Sequence, residues 1–168
     1  MHRALSTIAL LLSFSLSAEA SDEHTTIYLV RHAEKLLSTD HGSDVPLTAC
    51  GQARALSIAR FLSDIKLDAI YSTDLKRTRD TAAPTSQNQA VEVQFYDGSE
   101  LADLALTLRK NGGHTLVVGH SNTTPQLVGL LLHKTLPALD ESIYDHLYQV
   151  ILSPSGSSYQ LFHQSFKC

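Results

Sequence analysis

The sequence predicts an α/β protein with a mostly parallel central sheet and helices on both faces. Three observations carry this. Short apolar runs alternate with stretches of helical periodicity along nearly the whole chain, as in successive strand–helix–strand units. The runs at residues 27–30 and 115–118 are near-continuously apolar, the pattern of strands covered on both faces. Each then delivers a histidine, His32 or His120, at its carboxyl end, where open α/β sheets bind ligands.

Taken in order, residues 1–20 read as a cleaved secretory signal. His2 and Arg3 form a positive n-region, residues 4–16 an apolar and serine run, and Ala18-Glu19-Ala20 a small-x-small cleavage site. That run is shorter than the ~20 residues needed to span a bilayer. No stable membrane anchor is therefore expected, and residues 21–168 are left as one periplasmic or secreted domain. The first strand, 27–30, ends in Arg31, His32 and Glu34, and a polar loop with Gly42 and Pro46 follows over 36–47. Thr48 is placed to cap a helix whose apolar side is Ala55, Ile58, Ala59 and Leu62.

A second strand at 69–71 runs into Ser72-Thr73-Asp74, a helix-start signal, and the next helix is expected to stop at Pro84. After a polar loop at 85–90, Val91, Val93 and Phe95 alternate with Glu92 and Gln94 as a half-exposed strand does. Ser99 can cap a helix carrying Leu101, Leu104, Ala105 and Leu108, closed by Asn111-Gly112-Gly113. Strand 115–118 follows, then a helix opened by Thr123 or Thr124 with Pro125. Strands at 147–153 and 158–162, joined through Ser-Pro-Ser-Gly, suit a hairpin at the sheet edge.

Composition narrows the partners. Thirteen Lys and Arg against seventeen Asp and Glu give a net charge of −4, which removal of Arg3 with Glu19 leaves unchanged. No basic cluster suits nucleic acid and no polybasic segment suits a membrane surface. Cys50 and Cys168 are expected either to form one disulfide in an oxidising compartment or to remain two separate thiols. His32-Ala33-Glu34 opens like a zinc deaminase signature, but the required Pro-Cys-x-x-Cys is missing. His24, His41, His114, His133, His146 and His163 have no shared ligand spacing, so no metal or other cofactor is expected.

The ionisable residues at the strand ends suit phosphoryl transfer onto an imidazole. Arg31 and Arg77 offer forked donors matched to phosphate oxygens, His32 is a nucleophile that needs no metal, and His120 can stabilise charge on the equatorial oxygens. Four blocks, LVRHAEK (29–35), LTACG (47–51), TDLKRTRDTA (73–82) and VVGHSNT (117–123), resemble in order those of the histidine phosphatase (phosphoglycerate mutase-like) superfamily.

The resemblance implies that family's three-layer sandwich and a small phosphorylated substrate, with nucleophile His32, phosphate ligands Arg31 and Arg77, and second histidine His120. Arg79 is expected on the surface. Asn122 is placed either to donate to phosphate or to cap the next helix. For the proton donor Asp97 is preferred, with Glu100 and Glu34 as alternatives. The expected activity is that of an exported, metal-independent phosphomonoesterase working through a phosphohistidine on His32. A non-catalytic phosphate-binding module, a phosphohistidine-protein phosphatase and a mutase-type phosphotransferase are the rival readings.

Overall fold

A computed structural model describes residues 24–37 and 44–166; the expected signal segment, His41 and Cys168 lie outside the described residues. The element order is β1 (Thr25–Arg31), α1 (Ala49–Phe61), β2 (Ala69–Ser72), α2 (Lys76–Gln89), β3 (Val93–Phe95), α3 (Leu101–Asn111), β4 (His114–Gly119), α4 (Thr123–Leu132), β5 (His146–Ser153) and β6 (Gly156–His163). The six strands form one sheet in the order β3-β2-β4-β1-β5-β6. The first four are mutually parallel, whereas β5 runs antiparallel to β1 and forms a hairpin with β6 at the edge. The predicted α/β architecture with its mostly parallel sheet is therefore present.

The two faces of the sheet account for its apolar runs. Ile27, Leu29 and Val117 pack with α3 and α4 through Leu104, Leu108, Leu127 and Leu131. Tyr28, Val30, Leu116 and Val118 pack on the other side with Ile58 of α1, Leu62 just after it and Ala82 of α2. Every residue of β1 is buried, so no solvent face remains to impose alternation.

Helix starts follow local chemistry. The Thr48 hydroxyl accepts from the Gly51 N–H at 3.0 Å, as expected of its cap position, and donates to the Glu34 carbonyl at 3.2 Å. A side chain at Gly51 would bring its Cβ within 2.1 Å of that same carbonyl, which explains the glycine in the LTACG block. At α3 the expectation fails: Glu100 occupies the N-cap position without a side-chain bond, because Ser99 turns its N–H and hydroxyl back to Asp97.

The largest departure is α2, which continues through Pro84 to Gln89 instead of stopping. Proline removes one helical donor, but Thr78, Thr81, Ala82 and Thr85 lie buried on both sides of it. Tertiary packing overrides the local signal. Ala90 then closes the helix in the left-handed region at φ 54°.

Candidate active site

The carboxyl ends of β1 and β4 adjoin, with Arg31 opposite Gly119 in the register, and the His32 N–H donates to the Gly119 carbonyl at 2.9 Å. His32 and His120 are thereby brought together, their ring centroids 5.5 Å apart. An open pocket of about 390 Å³ is lined by His32, Lys35, Arg77, His120, Ser121, Asn122 and Glu141. A larger cleft of about 700 Å³ runs along α4 behind Asn122, but it contains neither of these histidines and neither expected arginine. Charge chemistry belongs to the smaller pocket.

His32 is buried, and its Nδ1 lies 2.8 Å from the Ala33 carbonyl. A carbonyl can only accept, so the neutral ring carries its proton on Nδ1 and its lone pair on Nε2. Burial, then the Arg31, His120 and Arg77 charges, push the His32 pKa down to about 3, while the Ala33 bond opposes them. The imidazole is thus neutral, as a nucleophile must be. His120 is held down to about 4, first by burial and then by Arg77 and Arg31. Its Nε2 lies 2.9 Å from the Thr73 hydroxyl, which meets Thr78 Oγ1 at 3.0 Å.

Arg77 reaches the pocket from the start of α2, near the end of β2, and burial lowers its pKa from the ordinary value. One hydroxyl joins it to the segment after β1: Thr81 accepts from the Ala33 N–H at 2.9 Å and donates to the Arg77 carbonyl at 2.7 Å. Arg79 is turned outward to pair with Asp74, as expected. Asn122 occupies the N-cap position of α4 without a capping side-chain bond, and it lines the pocket. Thr123 Oγ1 instead accepts from the His120 N–H.

Arg31 is arranged differently from the expectation of a phosphate ligand at the pocket wall. Its Nη1 donates to the carbonyls of Glu141 at 2.9 Å and Ile143 at 3.0 Å, and its Nη2 donates to the Glu141 carboxylate. The guanidinium also stacks over Tyr144, 4.1 Å from the ring centroid. Ser121 donates to the other Glu141 oxygen, and these bonds to Ser121 and Arg31 hold the carboxyl below its usual range against the effect of burial. An internal carboxylate therefore occupies the cationic site. The sequence reading missed Glu141 because it lies in an aperiodic loop some 110 positions from Arg31, as the separation shows.

The three acid candidates separate. Glu34 is gripped by buried Arg54 through contacts of 2.6–2.9 Å, so it serves the junction of the β1 end with α1 rather than proton donation. Glu100 stands exposed at the start of α3. Asp97 lines an adjoining pocket with Tyr96, Gly98 and Thr73, which shares His120 with the first. Backbone and side-chain bonds from Ser99 hold Asp97 below its usual pKa. Both land on Oδ1 and favour the ionised carboxylate in the free site.

A neutral buried histidine beside a second histidine and arginine, all at one sheet edge, defines an anion site of the phosphoryl-transfer type. Residues 27–103 match the family model "Histidine phosphatase superfamily (branch 1)". Residues 27–103 thus carry the histidine phosphatase superfamily pattern, and the curated relatives that the chain resembles are phosphoglycerate mutase-like. The probable phosphoglycerate mutase GpmB of Escherichia coli (strain K12 / DH10B) is 32% identical over 116 residues, covering 66% of this chain and 53% of that protein. The chain thus spans about half the length of the curated relatives it matches.

Among solved structures, the protein histidine phosphatase SixA complexed with tungstate aligns with a TM-score of 0.66 at 17% identity, covering 82% of this chain and 96% of that one. The alpha-ribazole phosphatase from Shigella flexneri gives 0.65 at 14%, covering 86% and 100%. These likenesses establish the histidine phosphatase, phosphoglycerate mutase-like fold.

Proposed function

We propose that the chain is an exported phosphomonoesterase of the histidine phosphatase type, in its short-chain branch, which hydrolyses small phosphorylated substrates without a metal. The observation that carries this reading is His32, neutral and protonated on Nδ1 within a pocket shared with Arg77 and His120. His32 Nε2 attacks phosphorus in line, forming the N–P bond as the P–O bond to the alcohol breaks. Arg77, His120 and Asn122 bind the phosphoryl oxygens, and substrate displaces Glu141 to gain Arg31 as well. The dianion favours the protonated form of His120, whose pKa is otherwise depressed.

The bound dianion raises the Asp97 pKa from its lowered value in the free site, and the proton that Oδ2 then takes up from water passes to the departing alcohol. Protonating Asp97 sacrifices no ion pair, whereas protonating Glu141 would break its pair with Arg31. Water then attacks the phosphohistidine, its proton passes to Asp97, and inorganic phosphate leaves with the acid restored. Export rests on the signal-like residues 1–20 and is favoured by Cys50 being disulfide-bonded, since disulfides persist in oxidising compartments.

His32→Ala is expected to abolish hydrolysis of p-nitrophenyl phosphate in EDTA, while the parent yields an acid-labile phosphohistidine. Normal turnover by His32→Ala would refute the mechanism. A phosphohistidine-protein phosphatase is the second reading, favoured by the match over nearly the whole SixA chain. Asp97→Asn separates the two: it should slow cleavage of an alkyl phosphate while sparing a phosphohistidine peptide, whose imidazole leaving group depends less on an acid.

A further inference from the structure

The β5–β6 hairpin, which follows the loop bearing Glu141 and Tyr144, carries a second group of ligand-type side chains. In the β5–β6 register His146 stands directly opposite His163, so both rings project from the same face, with centroids 4.7 Å apart. Asp145 precedes His146, and its carboxylate faces both rings. Oδ2 lies 3.0 Å from His163 Nδ1 and Oδ1 lies 3.8 Å from His146 Nε2. The three donor atoms all fall within 4.8 Å of one another.

We infer that Asp145, His146 and His163 form a binding site for a divalent late transition-metal ion, with zinc the best match. Two imidazole nitrogens and one carboxylate oxygen are a zinc-type donor set, and three protein ligands leave a fourth position for water. Tetrahedral bonds of about 2.0–2.1 Å put neighbouring donors roughly 3.3–3.5 Å apart, between the separations already present. His146 Nδ1 lies 3.4 Å from the Tyr148 hydroxyl, a contact that orients Nε2 toward Asp145 as an outer-shell partner does.

The His163 side chain is 60% exposed, so an ion reaches the site from solvent. Binding places the metal between His163 Nδ1 and Asp145 and leaves the ring proton on the solvent-facing Nε2. Along the chain the two histidines share no motif spacing, so no sequence pattern marks the site; the hairpin register brings them together. The site lies at the carboxyl edge of the sheet, next to Tyr144 and the loop that holds Glu141, but uses no residue of the phosphate pocket. A bound ion would anchor one end of that loop.

The test is titration of the whole protein with Co²⁺ followed by its visible ligand-field bands, then competition with Zn²⁺. One ion per chain with four-coordinate bands is expected. His163→Ala, at an exposed position, should weaken binding more than about a hundredfold, and Tyr148→Phe by about tenfold. Far-ultraviolet circular dichroism checks that each variant is folded, and His163→Gln supplies a second loss-of-ligand variant. His120→Ala should bind as the parent does. Absence of stoichiometric binding, unchanged affinity in both folded His163 variants, or loss of binding in His120→Ala would overturn the proposal. Phosphatase assays in EDTA address the phosphate pocket separately.

Discussion

Two arginine–glutamate pairs lie at opposite ends of the RHAEK block, and they differ in what surrounds the carboxylate. Arg54 and Glu34 are both largely covered, their side chains 8% and 19% exposed, and they meet through several short contacts. Arg31 is 1% exposed, but its partner Glu141 is 72% exposed on a loop. The first pair is a fixed part of the packing between the β1 end and α1. In the second, a buried cation is covered by an anion that solvent, or another anion, can replace. Similar chemistry thus serves cohesion at one end and exchange at the other.

The largest effect should come from removing the buried cation of the exchangeable pair. Arg31→Met is expected to lower kcat/KM for p-nitrophenyl phosphate by about 10²–10³-fold, the loss of a charged donor from a developing anion site. An effect below about threefold would make Arg31 a loop anchor only. Arg54→Met should instead destabilise the fold by about 3 kcal/mol in urea titration, because Glu34 is left without its partner. Activity per folded molecule should remain near the parent value, and an equally inactive Arg54→Met protein would erase the distinction between the pairs.

Acid sharpens it further. The His32 pKa is depressed in the folded state to about 3, so its contribution to stability is fully present above the unfolded value near 6.5 and is lost as pH falls toward 3. This gives a slope of about 1 kcal/mol per pH unit below 6.5, with His120 acting in the same direction down to about 4. Urea midpoints of parent and His32→Asn against pH should converge on acidification. The smallest effect is expected for Glu141→Gln. With the competing charge gone, tungstate or inorganic phosphate should inhibit about tenfold more tightly. An unchanged inhibition constant would mean that Glu141 does not share the anion's position.

Which parts were legible in the sequence follows the reach of each signal. The buried strands announce themselves in uninterrupted apolar runs, and His32, Arg77 and His120 could be placed because each lies at or near a recognisable strand end. Arg54 and Glu141 could not. Arg54 sits inside an ordinary helical pattern, and its partner depends on how α1 docks. Glu141 lies in a loop whose course is set by the reversal of β5 against β1. Pro84 misled for the complementary reason: its local cost is visible in the sequence, whereas the packing of Thr81, Ala82 and Thr85 that offsets it is not.

The Thr81 hydroxyl, bonded to the Ala33 N–H and the Arg77 carbonyl, adds a kinetic consequence. It ties the backbone beside His32 to the backbone carrying Arg77, so the two share a local frame before substrate arrives. In the proposed reaction little of the barrier then goes into assembling them, and the rearrangement falls to the loop bearing Glu141 and Tyr144.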